Sequence, residues 1–468
     1  MKNIVINGTG ISGLLYALLM VESGYKGSIT MVDKASEPGG LLRRWNYGEY
    51  GNFDYGMHNF LETGIAELDA LVFGLLPENE WDLLEGPRRD LCGSYYLDTL
   101  QSKTPYIDIR NLPEHDYQEC LADFLAHIST PLAPINTQVS AHDFFCTRFG
   151  KKTAERLLCP AIEKIHKHPA TELDYMATIF TPLSRITLGN EYISAQLTES
   201  EYLRNFIAWG DQRTLPLERS SGRRAYYPKH YGMYRVVDAM IARLKKAGVT
   251  LLLGSSIMGI QHTGNQVTAV DIQHADGSKA SHSTDHLVWT NASPLLAKML
   301  NIPTSDLGYD KPLRTAVVNL LLSQPLEAMG DLYYFFCYEP GFHTYRLTNF
   351  ANYCSGAARG GLYPISMELL VEDNVAQSND LASIAQEELA RFNLLHAGNN
   401  VAFAKAELLD AGFPMPTIKN ITATRTIRNR IDALHLANLD LIGILAQDNL
   451  FFQTDVMRYV HQKVRARC

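Results

Sequence analysis

The chain contains no uninterrupted apolar run near the ~20 residues that a membrane-spanning helix needs, so no transmembrane segment is expected. It has no basic run, no basic patch interleaved with aromatics and no zinc-ligand spacing. With a formal net charge of −8, nucleic-acid binding and a metal site find no support. Cys-x-x-Cys is absent, and the seven cysteines (92, 120, 146, 159, 337, 354, 468) are odd in number. That usage fits a reduced, cytoplasmic protein rather than a disulfide framework. Cys159 and Cys337 sit in apolar surroundings and read as core filling. A β-branched strand begins almost at once, so no secretory leader is expected. Internal repeats and low-complexity tracts are also missing. At 468 residues, 46% hydrophobic and 20% charged, the chain is large enough for two or three domains with sizeable cores.

What is present begins with "VINGTGISGLL", residues 5–15, which carries the spacing Gly8-x-Gly10-x-x-Gly13. Three glycines in register are a weak signal alone, and the flanks decide. "KNIVI" reads as a strand buried on both faces, and "LLYALLMVESG" as an apolar helix ending at Gly24. "SITMVD" is a second strand that closes on Asp33, twenty residues past Gly13. This is the dinucleotide fingerprint in its strand–loop–helix–strand context. Gly8 permits the tight turn, Gly10 lets the backbone approach a pyrophosphate, and Gly13 lets helix and strand pack closely. The helix N-terminus, opened by Ile11 and Ser12, meets the negative charge, and Asp33 accepts from ribose hydroxyls.

The segment "KASEPGGLLRRWNYGEYGNFDYGMHNF", residues 34–60, departs from a plain NAD domain, which would run on through further βα units. A Gly39-Gly40 doublet follows the second strand, then an aromatic stretch ending "YGMHNF". This resembles the FAD-binding superfamily of flavin amine oxidases, protoporphyrinogen oxidases, phytoene desaturases and UDP-galactopyranose mutases, with "YGMHNF" nearest the mutase form. Further islands are similar: "RFGKKTAERLLCPAIEKIHKHPATELD" to the protoporphyrinogen-oxidase branch, and "YYPKHYGMYRVVDAMIARLKKAGVTLLLGSSIMGI" and "DHLVWTNASP" to the superfamily at large. "NLDLIGILAQDNLFFQTDVMRYVHQK" resembles the mutase-type ending. The resemblance implies non-covalent FAD held by the glycine loop together with Lys34, Gly39, Gly40, Leu41 and Leu42. It also places Met57 and His58 beside the flavin, Ile257 near the adenine, and Gly443, Asp455 and Val456 at the closing helix. Two positions depart from the pattern: Leu41 and Ile444 stand where relatives carry arginine. Arg43 or Arg44 takes over at the first.

The expected fold is α/β. A Rossmann-like FAD-binding domain is assembled from residues 1–65, 225–300 and 420–468. Residues 66–224 and 301–419 form an α+β substrate domain with helices and an antiparallel sheet. "SAHDFFCTRFGKKTAERLLCPAIEKI" reads as helical with Ser140 as its N-cap, and "LRTAVVNLLLSQ", "DLYYFFCYEP" and "HTYRLTN" as strands. The sheet tyrosines 333, 334, 338, 345 and 353 either wall a pocket or are cross-strand packing pairs. His58 is the candidate for hydrogen bonding or proton relay at the flavin, and Arg346 for holding a substrate phosphate or carboxylate, the two facing one cavity. Arg425, Arg428 and Arg430 offer either a further anion site or, the better reading, a solvated face. The resemblance implies a flavin oxidoreductase removing a hydride from a small polar or anionic substrate, such as an amine. A mutase using reduced flavin as nucleophile on a sugar nucleotide is the alternative, and a flavin-binding member without turnover the third. Nothing in the sequence sets an oligomeric state.

Overall fold

The computed structural model describes residues 2–128, 139–220, 223–378, 380–409, 414–448 and 450–467. The chain divides into two compact units, one comprising Met1–Leu83, Ala225–Gly308 and Thr422–Cys468, the other Leu84–Arg224 and Tyr309–Ile421. The architecture is α/β, with one parallel sheet and several antiparallel ones.

In the first unit five parallel strands lie in the order Thr250–Leu253, Ser28–Asp33, Asn3–Asn7, His286–Trp289, Leu439–Leu441. Strands from all three chain segments thus enter one sheet. Ile4, Val5 and Ile6 are buried, as a strand covered on both faces requires. Helix Ile11–Glu22 is apolar nearly all round because helices Tyr234–Lys246 and Gln453–Arg465 both pack against it. Its end is set by Gly24 at φ +82, whose N–H donates to Val21 O. The unit runs on to Leu83 because strands Phe60–Leu61, Ala225–Pro228 and Trp81–Leu84 form a small sheet of their own.

The second unit is built on a seven-stranded sheet. Its order is Val401–Leu408, Arg314–Leu322, Tyr363–Val371, Thr344–Asn349, Tyr334–Cys337, Cys92–Tyr96, Thr99–Gln101, antiparallel except for the pair Tyr334–Cys337 and Cys92–Tyr96. Ser140 caps helix Ala141–Phe149, its hydroxyl accepting from Asp143 N–H at 3.0 Å. The helix expected to continue through residue 165 is interrupted. Gly150 at φ +83 ends the first piece, and residues 154–158 form a π-turn before helix Cys159–His166. Pro160 offers no N–H to the turn before it, so the hydrogen-bond ladder slips there. Cys159 and Cys337 are buried, 6% and 0% exposed, and fill core space.

Candidate functional site

The glycine loop follows the carboxyl end of strand Asn3–Asn7. Gly8 takes φ +104, and its N–H donates to Val32 O at 2.8 Å. A Cβ there would fall 2.2 Å from Thr290 Oγ1, and one on Gly13 would fall 2.2 Å from Gly8 O, so both positions are closed to any other residue. Gly10 differs. A Cβ on it would meet nothing nearer than Gly40 Cα at 3.9 Å, yet a Cβ on Gly40 (φ +59) would come within 2.9 Å of Gly10 Cα. The two glycine backbones therefore pack directly against one another, a contact that a side chain on Gly40 would break. Gly39 N–H ties the doublet to the loop by donating to Thr9 O at 2.9 Å. Gly10 is also the N-cap of helix Ile11–Glu22 and supplies no side-chain bond to its first-turn amides. Gly10, Ile11 and Ser12 are half-buried, and Gly13 is buried.

Asp33 is half-buried at the end of its strand and is engaged within the protein. Its Oδ2 accepts from Thr9 N–H (2.7 Å) and Thr9 Oγ1 (2.6 Å), and its Oδ1 from Ala35 N–H (2.9 Å). A carboxylate has about four acceptor sites, so about one remains for a ribose hydroxyl. Thr9 was not singled out in the sequence, since it fills a variable position of the motif. Lys34 and Leu41 are exposed and Leu42 is buried. Of the two arginines after the doublet, Arg44 pairs with Asp238 at 2.8 Å. Arg43 donates from Nε to Gly40 O at 2.9 Å and lies over the Tyr55 ring.

The carboxyl ends of three parallel strands meet around Thr290. Its Oγ1 donates to Asn7 O at 2.7 Å, and a Cβ on Gly443 (φ +125) would lie 2.5 Å from its carbonyl oxygen. Beyond Gly443, Ile444 is 46% exposed. Arg425 and Arg428 both pair with Asp448, and Arg428 Nη1 donates to Leu445 O at 2.8 Å, so they pin this loop. They were expected on a solvated face. Arg430 binds Asp306. Asp455 lies in the first turn of helix Gln453–Arg465, and Val456 is buried below it. Ile257 packs in an apolar cluster with Val5, Val32 and Trp289.

The segment bearing Met57 and His58 is anchored by Asp54, which sequence reasoning passed over. Asp54 is 1% exposed, its carboxylate accepts from Tyr227 OH at 2.7 Å and Met233 N–H at 3.0 Å, and its own N–H donates to the Tyr231 hydroxyl oxygen at 3.3 Å. Met57 is buried and His58 half-buried. His58 belongs to the first unit and Arg346 to the second.

Arg346 does not present an open fork. Its Nε and Nη2 bind the Glu368 carboxylate at 2.9, 2.7 and 2.8 Å, on the neighbouring strand. Burial disfavours the cation, but the glutamate outweighs that and holds the guanidinium above its ordinary value. Tyr333, Tyr338 and Tyr353 are fully buried, and Tyr334 and Tyr345 nearly so. Burial pushes the Tyr334 phenol well up, with Asp90 adding to it. A cluster of exposed His115 with half-buried Asp116 and Glu119 has its acids paired to Arg156 and Lys152.

Residues 6–70 match the family described as NAD(P)-binding Rossmann-like domain, and the first unit carries that domain. The chain shares its overall fold with solved structures titled reduced UDP-galactopyranose mutase (TM-score 0.71, 17% identity, 94% of this chain and 89% of that one) and putative protoporphyrinogen oxidase from Exiguobacterium sp. 255-15 (0.70, 15%, 100% and 98%). A putrescine oxidase structure aligns at 0.60 with 12% identity over 100% and 98% of the two chains. A 1-hydroxycarotenoid 3,4-desaturase of Flavobacterium sp. (strain P99-3) is 25% identical over 295 residues, 61% of this chain. The match spans about half (55%) of that relative's length. No helix among the described residues is long and apolar enough to cross a membrane.

Proposed function

We propose that the protein is an FAD-dependent oxidoreductase that takes a hydride from a small polar substrate. The observation that carries this is the close contact of the bare Gly10 and Gly40 backbones beside the loop, where a Cβ on Gly10 would meet only Gly40 Cα, at 3.9 Å. A bare helix N-terminus opens onto the same loop, which suits a pyrophosphate. The doublet distinguishes this arrangement from a single glycine loop, and the relatives named above include two oxidases and a desaturase. Flavin, when bound, supplies the hydride acceptor. The chain's own residues bind and orient: the Gly8–Gly13 amides hold the pyrophosphate, Asp33 receives a ribose hydroxyl, and the His58 segment, fixed by Asp54, borders the ring. We place the protein in the reducing cytoplasm, in keeping with the buried thiols of Cys92, Cys120, Cys159 and Cys337.

A mutase reading stays open on one observation, the "YGMHNF" segment. Anaerobic incubation of the purified protein with amines, polyenes and sugar nucleotides separates the two. Bleaching of the flavin by a substrate supports the oxidoreductase. Sugar isomerisation that requires pre-reduced flavin overturns it in favour of the mutase.

A further inference from the structure

Cys146 is the one cysteine among the described residues that is not buried. It shares a face of helix Ala141–Phe149 with His142, four residues earlier, and its Sγ lies 3.6 Å from His142 Nε2. The other ring nitrogen faces the Asp143 carboxylate, Nδ1 to Oδ1 at 3.3 Å. A third group comes from beyond the break in the helix. Glu155, in the π-turn at residues 154–158, brings Oε1 to 3.9 Å from the same His142 Nε2. Solvent reaches these groups: the side chain of His142 is 30% exposed, that of Glu155 50% and that of Asp143 68%.

The spacing is that of ligands around a tetrahedral metal. Zn–N and Zn–S bonds of about 2.1 and 2.3 Å, meeting at the tetrahedral angle, hold their N and S about 3.6 Å apart. The separation of His142 Nε2 from Cys146 Sγ matches that edge. A rotation of the half-exposed Glu155 side chain closes the third corner. A carboxylate against the far nitrogen is how a metal-bound histidine is commonly held, because it fixes the ring and raises the basicity of the ligating atom. π-Turns within helices are frequent at functional sites, and this one carries the third ligand. We infer that His142, Cys146 and Glu155 form a binding site for a zinc-type divalent cation, with Asp143 behind the histidine and water at the fourth position.

Charge around the thiol favours a cation. Burial raises the Cys146 thiol above its ordinary value, and the carboxylates of Glu155, Asp143 and Asp123 add to that, with Lys151 opposing. A divalent cation in that field takes the place of the proton: the thiol releases H+ as the S–Zn bond forms, and no electron is transferred. Lys151 does not block the site, since its ammonium is 73% exposed and stands 3.7 Å from Glu155 in a loose surface pair. The cluster of His115, Asp116 and Glu119 offers no comparable site, because Arg156 and Lys152 already hold its acids. A thiolate and an imidazole select zinc over calcium or magnesium, which take oxygen donors. Bound there, the cation ties helix Ala141–Phe149 to the π-turn across the break at Gly150.

The inference does not rest on the flavoenzyme reading. Its test uses the purified full chain, with the terminal thiol removed by Cys468→Ser in every sample. Zinc sulfate is titrated in competition with a chromophoric chelator. Iodoacetamide alkylation of Cys146 is followed by peptide mass spectrometry with zinc, with calcium and with neither. Expected are one zinc per chain, alkylation slowed by zinc and not by calcium, and binding at least about tenfold weaker in Cys146→Ser and in His142→Gln. Metal-free variants that melt at the parent temperature show that the loss is not unfolding. Should they melt lower, protection of Cys146 in the parent decides alone. Zinc that leaves the alkylation rate unchanged overturns the proposal, as does equal protection by calcium. So does zinc binding of equal strength in the parent and in Cys146→Ser, or no binding at all.

Discussion

Replacing Gly10 and Gly40 one at a time separates a ligand role from a folding role. Gly10 has φ −70 and ψ 178, a conformation open to any residue, and an alanine Cβ there would meet only Gly40 Cα at 3.9 Å. Alanine is a poorer N-cap than glycine by about 0.5–1 kcal/mol, but it restricts the unfolded chain by about 0.4–1 kcal/mol. The two nearly cancel, so Gly10→Ala should unfold within about 0.5 kcal/mol of the wild type. Its methyl occupies the approach to the pyrophosphate, and FAD affinity should fall tenfold or more, about 1.4 kcal/mol. Gly40→Ala should behave differently. At φ +59 a non-glycine residue costs about 1–2 kcal/mol, and its Cβ would also press on Gly10 Cα at 2.9 Å. That variant should lose stability even in the absence of cofactor. Urea unfolding of the apo-proteins and titration with FAD measure both effects. A Gly10→Ala protein that is stable and binds FAD with unaltered affinity would refute the placement of the pyrophosphate.

Asp33→Ala removes acceptors for Thr9 and Ala35 as well as for ribose, so it should lower stability by about 1–3 kcal/mol and weaken FAD about tenfold; equal FAD affinities in the two proteins would remove the ribose role. Arg346→Ala leaves Glu368 buried without its cation and should cost about 3–5 kcal/mol, whereas the pair Arg346→Met with Glu368→Leu should recover most of it in the same melts. A single variant as stable as wild type contradicts the pairing. Asp440 is buried, which favours its neutral form, but hydrogen bonds from His286 and Arg467 prevail and hold its carboxyl well below the usual range. A depressed folded pKa stabilises above the unfolded value and is lost as pH falls, so acid unfolding should begin as pH drops through the carboxylate range below about 5. Asp440→Asn should flatten that limb, and an unchanged acid profile would show that this carboxylate does not set it.

The strand–loop–helix–strand unit at the start of the chain was legible because its information is local. Gly8, Gly10, Gly13 and Asp33 fall within one strand–loop–helix–strand unit, so spacing alone carries the geometry. Thr9 escaped notice because its role depends on a side chain 24 residues away. Arg346 was read as an anion fork from its own segment, while its true neighbour, Glu368, lies 22 residues away on the next strand. The π-turn at 154–158 precedes Pro160, whose missing N–H is visible in the sequence but whose effect on the ladder depends on the turn packed before it.

Titrating the apo-protein with FAD, FMN and NAD in parallel tests the central claim most directly. The glycine loop with its facing doublet is predicted to bind FAD at one per chain, FMN more weakly for want of the adenosine half, and NAD least. Saturable NAD binding with no affinity for FAD would contradict the flavoenzyme account and leave a nicotinamide-binding Rossmann domain in its place.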